Sequence, residues 1–162
     1  MLSPLLRRTT ALATSALHKT SQVRSFGFGF KSEVSNRIFS PVRSEDEFDT
    51  ILLLCASARM PLLTFWTATW CSSCKAVRPT IFELLQEKPI GVEQGGVGFA
   101  EVEMDAPGVS ALAFRYLIKS TPTLLSFNRQ EAQFDRAMNK ISEMKQKDIL
   151  AEWIRAEAAR RD

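Results

Sequence analysis

The chain has 162 residues, room for one ordinary domain plus an extension, and its 45% apolar and 24% charged residues suit a core that needs no disulfide staples. Three cysteines do not make a disulfide framework. The net charge of +3 resides in residues 1–30, where Arg7, Arg8, Lys19 and Arg24 face no acid; beyond them 17 basic residues meet 18 acidic ones, and nothing basic remains to argue for nucleic acid.

Residues 1–30 are rich in Arg, Ser and Thr, with Leu2, Leu5, Leu6, Leu12 and Leu17 at roughly helical spacing. This is the pattern of a mitochondrial presequence, and the threonines and serines interrupt the clean apolar core that a secretory signal needs. Arg24-Ser25-Phe26 before Gly27 resembles a processing site with arginine at minus three. No stretch approaches the ~18–20 apolar residues of a membrane span. The only histidine, His18, lies in this segment, so residues 31–162 have no histidine catalysis and no Cys/His zinc site to offer.

Residues 27–34 read as a linker and Arg37-Ile38-Phe39 as a short strand. Ser44-Glu45-Asp46-Glu47 is a capping box opening a helix with Phe48, Ile51, Leu52 and Cys55 on one face. Cys55 there reads as a small buried hydrophobe. After Pro61, Leu62–Thr67 lacks polar alternation, as in a central strand buried on both sides. A helix from about Cys71 to Glu87 carries Val77, Ile81, Leu84 and Leu85 inward, with Pro79 expected to kink it. Pro89 to Gly98 is a loop, and its glycines lack the strand–loop–helix order of a phosphate cradle. Val97–Met104 alternates apolar and acidic residues as a strand. A turn at Asp105–Gly108 leads to a short helix over Val109–Leu117. Thr123–Phe127 is a strand, paired as a hairpin with Ala132–Met138 across Asn128-Arg129-Gln130. A last helix opens at Ser142, buries Ile149, Leu150, Trp153 and Ile154, and frays over Arg155–Asp162. The order βαβαβαββα predicts an α/β fold, a mixed central sheet with helices on both faces.

Between the second strand and the second helix lies Trp70-Cys71-Ser72-Ser73-Cys74-Lys75. Two thiols three positions apart at a strand-to-helix junction read as a redox motif. Cys71 falls at the helix N-terminus, where free N–H groups and the helix dipole favour a thiolate. A metal site is disfavoured, because four ligands are usual and Cys55 sits on an apolar helix face.

From about Phe39 to Arg155 the chain resembles the thioredoxin family. The resemblance rests on Leu62–Trp66 leading into Trp70–Lys75, Pro79 five residues after Cys74, Val102-Glu103-Met104-Asp105 as a strand with a terminal Asp, and Ser120-Thr121-Pro122-Thr123 as a cis-proline loop. Three departures stand out. Ser72-Ser73 replaces Gly-Pro, Thr64 stands where the family carries a buried acid, and Met138 stands at a glycine that lines the substrate groove.

The resemblance implies a thioredoxin fold and a protein-disulfide reductase, and the presequence pattern points to the mitochondrial matrix. Cys71 is then the attacking thiol and Cys74 the resolving one. Trp70 would wall the disulfide. A cis Thr121–Pro122 bond would set the Thr121 backbone to pair with an extended substrate segment. The expected partners are disulfide-containing client proteins and thioredoxin reductase; no cofactor, nucleic acid or membrane span is expected, and the chain is expected to be a monomer. The departures keep two other readings open: a client-specific oxidase or isomerase, and a binding or assembly module with poor turnover.

Overall fold

A computed structural model describes residues 34–161; the linker and the presequence expected over residues 1–30 lie outside the described residues. Five strands form one sheet in the order β1-β3-β2-β4-β5. They are β1 (Arg37–Ile38), β2 (Leu62–Thr67), β3 (Gly98–Glu103), β4 (Thr123–Asn128) and β5 (Glu131–Ala132). The helices are α1 (Glu45–Ser57), α2 (Ser72–Phe82), α3 (Ser110–Arg115), α4 (Ile141–Met144) and α5 (Lys147–Ala158). β2 runs parallel to β3 and antiparallel to β4, with Leu62 opposite Gly98 and Trp66 opposite Thr123.

The run Leu62–Thr67 explains the layering. Leu63 and Phe65 pack on one face with Val77 and Ile81 of α2 and Leu150 and Ile154 of α5. Leu62 and Trp66 pack on the other with Phe48 and Leu52 of α1 and Leu112 of α3. Strand side chains alternate between faces, so a strand covered on both sides must be apolar throughout.

α1 starts as expected: Ser44 Oγ accepts from the Glu47 amide at 3.3 Å. Glu47 reaches back one residue further than a capping box requires, to the Arg43 amide at 2.7 Å. α2 stays helical through Pro79 and passes into a π turn at Glu83–Glu87. The Pro89–Gly98 loop contains a 3-10 turn at Val92–Gln94.

Four expectations need correction. The second hairpin strand is two residues long, not Ala132–Met138. After a tight turn with Arg129 and Gln130 at positive φ, the chain leaves the sheet in a 3-10 turn at Phe134–Arg136. It returns only where Met138 exchanges backbone hydrogen bonds with Leu124 at 2.8 and 2.9 Å. Arg136 is drawn away because its guanidinium pairs with Glu157 and its carbonyl accepts from Trp153 Nε1 at 2.8 Å. The last helix is broken: Gln146 is extended, and Lys147, which starts α5, pairs with Glu83. Ile149 is exposed, and Ala151 and Ala158 are buried instead. The end does not fray at Arg155. α5 runs to Ala158 and buries Glu157, whose carboxylate accepts from Ser126 Oγ at 2.6 Å, and Arg161 caps the Gly96 carbonyl at 2.7 Å.

Cys55 is fully buried, as expected for a packing residue. A Cβ on Gly98 would lie 2.5 Å from its sulfur, so the thiol fills the space that glycine leaves. Burial pushes the Cys55 thiol up to about 11.

Candidate active site

Parallel β2 and β3 end at the same edge of the sheet at which antiparallel β4 begins. The dithiol loop follows β2, Asp105 follows β3 and the cis-proline loop precedes β4. The topology alone gathers the site.

Cys71 and Cys74 form a disulfide. Cys71 is the N-cap of α2: its extended backbone (ψ 103°) opens the helix, and its sulfur accepts from the Cys74 amide at 3.1 Å. A helix N-cap must satisfy N–H groups that have no partner in the preceding turn, and here sulfur takes the place of the usual side-chain oxygen. The same donors stabilise a thiolate once the disulfide opens. Ser73 Oγ lies 3.9 Å from Cys71 Sγ, at the outer limit of a sulfur contact. Cys71 is 5% exposed and Cys74 1%, so Cys71 is the more accessible, by a small margin.

The loop before the dithiol is tied down. The Thr69 amide donates to Asp105 Oδ2 at 3.0 Å, and the Thr69 hydroxyl donates to the same oxygen. These hydrogen bonds hold the Asp105 carboxyl below its ordinary range. The Cys71 amide donates to Ala68 at 3.1 Å. Between these anchors Trp70 projects into solvent, 74% exposed.

The Thr121–Pro122 bond is cis, and Pro122 is buried. Thr123 Oγ1 donates to the Ser120 carbonyl at 2.7 Å and holds that loop against the start of β4. Met138 is buried beside it, bridged to Leu124. Thr64 is fully buried; its hydroxyl donates to the Leu125 carbonyl and accepts from Trp66 Nε1, both at 2.8 Å. Thr64 therefore does not stand behind the cysteines as expected: strand alternation turns it to the α1 face with Trp66, and the β2 residue on the cysteine face, opposite Glu101, is Phe65.

Sequence reasoning missed a cleft of about 260 Å³ beside Cys74, lined also by Lys75, Arg78, Glu101 and Glu103. Arg78 Nε donates to Glu101 Oε1 at 2.6 Å, and the Glu101 side chain is only 7% exposed. Glu103 is taken by Arg43, at 2.7 and 3.0 Å. The one legible signal was a glutamate in strand register with buried Phe99. Among the described residues no group of His, Cys, Asp and Glu is placed to hold a metal ion, and no helix is long and apolar enough to cross a membrane.

The thioredoxin family model matches residues 40–156. The chain belongs to the thioredoxin family. It is 29% identical over 109 residues to mitochondrial thioredoxin O2 of Arabidopsis thaliana, covering 64% of this chain and 64% of that protein. It is 36% identical over 84 residues to a thioredoxin of Mycolicibacterium smegmatis, covering 52% of this chain and 68% of that one. The chain therefore spans just under two thirds of the plant relative. A crystal structure of a poplar thioredoxin h mutant superposes with a TM-score of 0.59 at 18% identity, over 76% of this chain and 85% of that one, which shows the shared fold.

Proposed function

We propose that this thioredoxin-family chain is a thiol-disulfide oxidoreductase that reduces protein disulfides in the mitochondrial matrix. The observation that carries the reading is the Cys71–Cys74 disulfide, closed with Cys71 as the cap of α2. In the reduced protein the Cys71 thiolate attacks one sulfur of a client disulfide. A Cys71–client bond forms, the client disulfide breaks and one client thiolate leaves. Cys74 then loses its proton and attacks Cys71 Sγ. The Cys71–Cys74 bond forms, the second client thiol leaves, and two electrons have passed to the client. Trp70 and the Thr121 backbone at the cis-proline loop take the client segment, and thioredoxin reductase returns the electrons.

The matrix address rests on the acid-free, arginine-bearing residues 1–30 and on the mitochondrial name of the plant relative. A reporter fused to residues 1–30 should enter mitochondria; retention in the cytosol sinks the address. Turnover of insulin disulfides with NADPH and thioredoxin reductase tests the activity. Wild type should be active and Cys71→Ser should lose essentially all of it; equal inertness of the two leaves only a binding or assembly module. Ser72-Ser73 between the cysteines, and an apolar Phe65 as the β2 residue on their face, favour a second reading, a client-specific oxidase or isomerase. A reduction potential near about −270 mV supports the reductase, and one near about −180 mV the alternative.

A further inference from the structure

Resolution of the mixed disulfide requires a proton to leave Cys74, a sulfur only 1% exposed. Bulk water cannot readily take it from there, and a thiol in an apolar setting resists ionisation. Thr64 lies on the opposite face of the sheet, bonded to Trp66 and Leu125, and the β2 residue on the cysteine face, Phe65, is apolar. The cleft beside Cys74 holds the ionisable groups on hand. Lys75 and Arg78 reach it from α2, and Glu101 and Glu103 from β3. The two residues that flank Glu101 through backbone pairing, Phe65 on β2 and Val42 before α1, bring no titratable group.

Of the two carboxylates, Glu103 is gripped at both oxygens by Arg43. Glu101 is the buried one, and Arg78 holds it through a single bond to Oε1. The cleft, at about 260 Å³, has room for several waters.

We propose that Glu101 is the proton acceptor for Cys74, acting through water in this cleft, with Arg78 fixing the carboxylate in position. The inference rests on the reading of Cys71 as attacking and Cys74 as resolving thiol. As the resolving step proceeds, the Cys74 S–H proton passes by way of water to the Glu101 carboxylate. The Cys74 electron pair forms the bond to Cys71 Sγ, and the Cys71–client bond releases its pair to the departing client sulfur. The proton on Glu101 then returns to that sulfur or to solvent. Glu101 touches neither sulfur, so it is a positioning residue for the proton and not a nucleophile.

The test is single-turnover reaction of the reduced full chain with dithiobis-nitrobenzoate. The first aryl thiolate reports attack by Cys71, and the second reports resolution by Cys74. Cys55, fully buried and with its thiol pushed up to about 11, stays silent. Glu101→Gln should leave the first release unchanged and slow the second roughly tenfold or more near neutral pH. Its second release should climb about tenfold per pH unit, as unaided thiol ionisation demands, whereas wild type should climb less steeply between about pH 6 and 8. Glu101→Asp should recover most of the lost rate. Glu103→Gln, which removes the other carboxylate of the cleft, should leave the second release within about threefold of wild type.

An unchanged second release in Glu101→Gln overturns the inference. So does a wild-type profile as steep as that of unaided ionisation, which needs no variant to fold. Persistence of the first release in Cys71→Ser marks a different failure: it defeats the assignment of Cys71, and this inference falls with it.

Discussion

The two faces of the sheet differ in what they bury. Under α1 and α3 lies an aromatic cluster: Phe48 sits 5.9 Å from Trp66, 5.3 Å from Tyr116 and 5.5 Å from Phe127 between ring centroids, and Tyr116 meets Phe127 edge-on at 4.9 Å. The polar atoms there, such as Thr64 Oγ1 and Trp66 Nε1, satisfy each other. Under α2 and α5 lie the disulfide and both buried glutamates, Glu101 paired with Arg78 and Glu157 with Arg136. Buried charge is costly unless it is paired. One face therefore buries aromatic rings whose polar atoms satisfy one another, and the other buries apolar side chains together with carboxylates that are paired to arginines.

The division can be broken by experiment. Phe48→Ala empties the centre of the aromatic face and should cost about 3–5 kcal/mol in urea unfolding, yet leave both aryl-thiolate releases of the folded protein unchanged. A large shift in either release would show that the faces are coupled. Glu157→Ala strips Arg136 and Ser126 of a shared acceptor. It should cost about 2 kcal/mol in the same measurement, below the ~3–5 of a wholly buried pair because the Arg136 side chain is 36% exposed. No loss at all would mean that α5 docks through apolar contacts alone.

The smallest effect belongs to Asp105. Its carboxyl is held below the usual range in the folded chain, so its contribution to stability is present above the ordinary carboxylate pKa and is lost as pH falls through the depressed folded value. Wild type should lose stability to urea between about pH 5 and 2, and Asp105→Asn should lose less over that window. Parallel curves would detach Asp105 from acid stability.

Much of this was legible in the chain because the signals are local. The Ser44 cap, the apolar β2, Cys71 at the start of α2 and the proline before β4 each depend on a few neighbouring residues. What was not legible depends on partners far away in sequence. Glu101 and Glu157 look like solvated charges until Arg78 and Arg136, 23 and 21 residues distant, are folded against them. The break between α4 and α5 has no glycine or proline to announce it; buried Met144 and the pairing of Lys147 with Glu83 accompany it. The shortened β5 follows from the demand of Arg136 to leave the sheet for Glu157. The exposure of Trp70 was not legible either: it follows from a loop pinned at Thr69 and Cys71, whose partners lie elsewhere.

The contact between Cys55 and Gly98 constrains how this sequence can drift. The Cys55 sulfur occupies the volume that a methyl group on Gly98 would claim. A larger residue at 98 is therefore eased when 55 shrinks, with Phe39 and Leu62 still close at 3.3 and 3.4 Å, and a smaller residue at 55 opens space beside 98. Substitutions at the two positions are therefore expected to depend on each other, although 43 residues separate them in the chain.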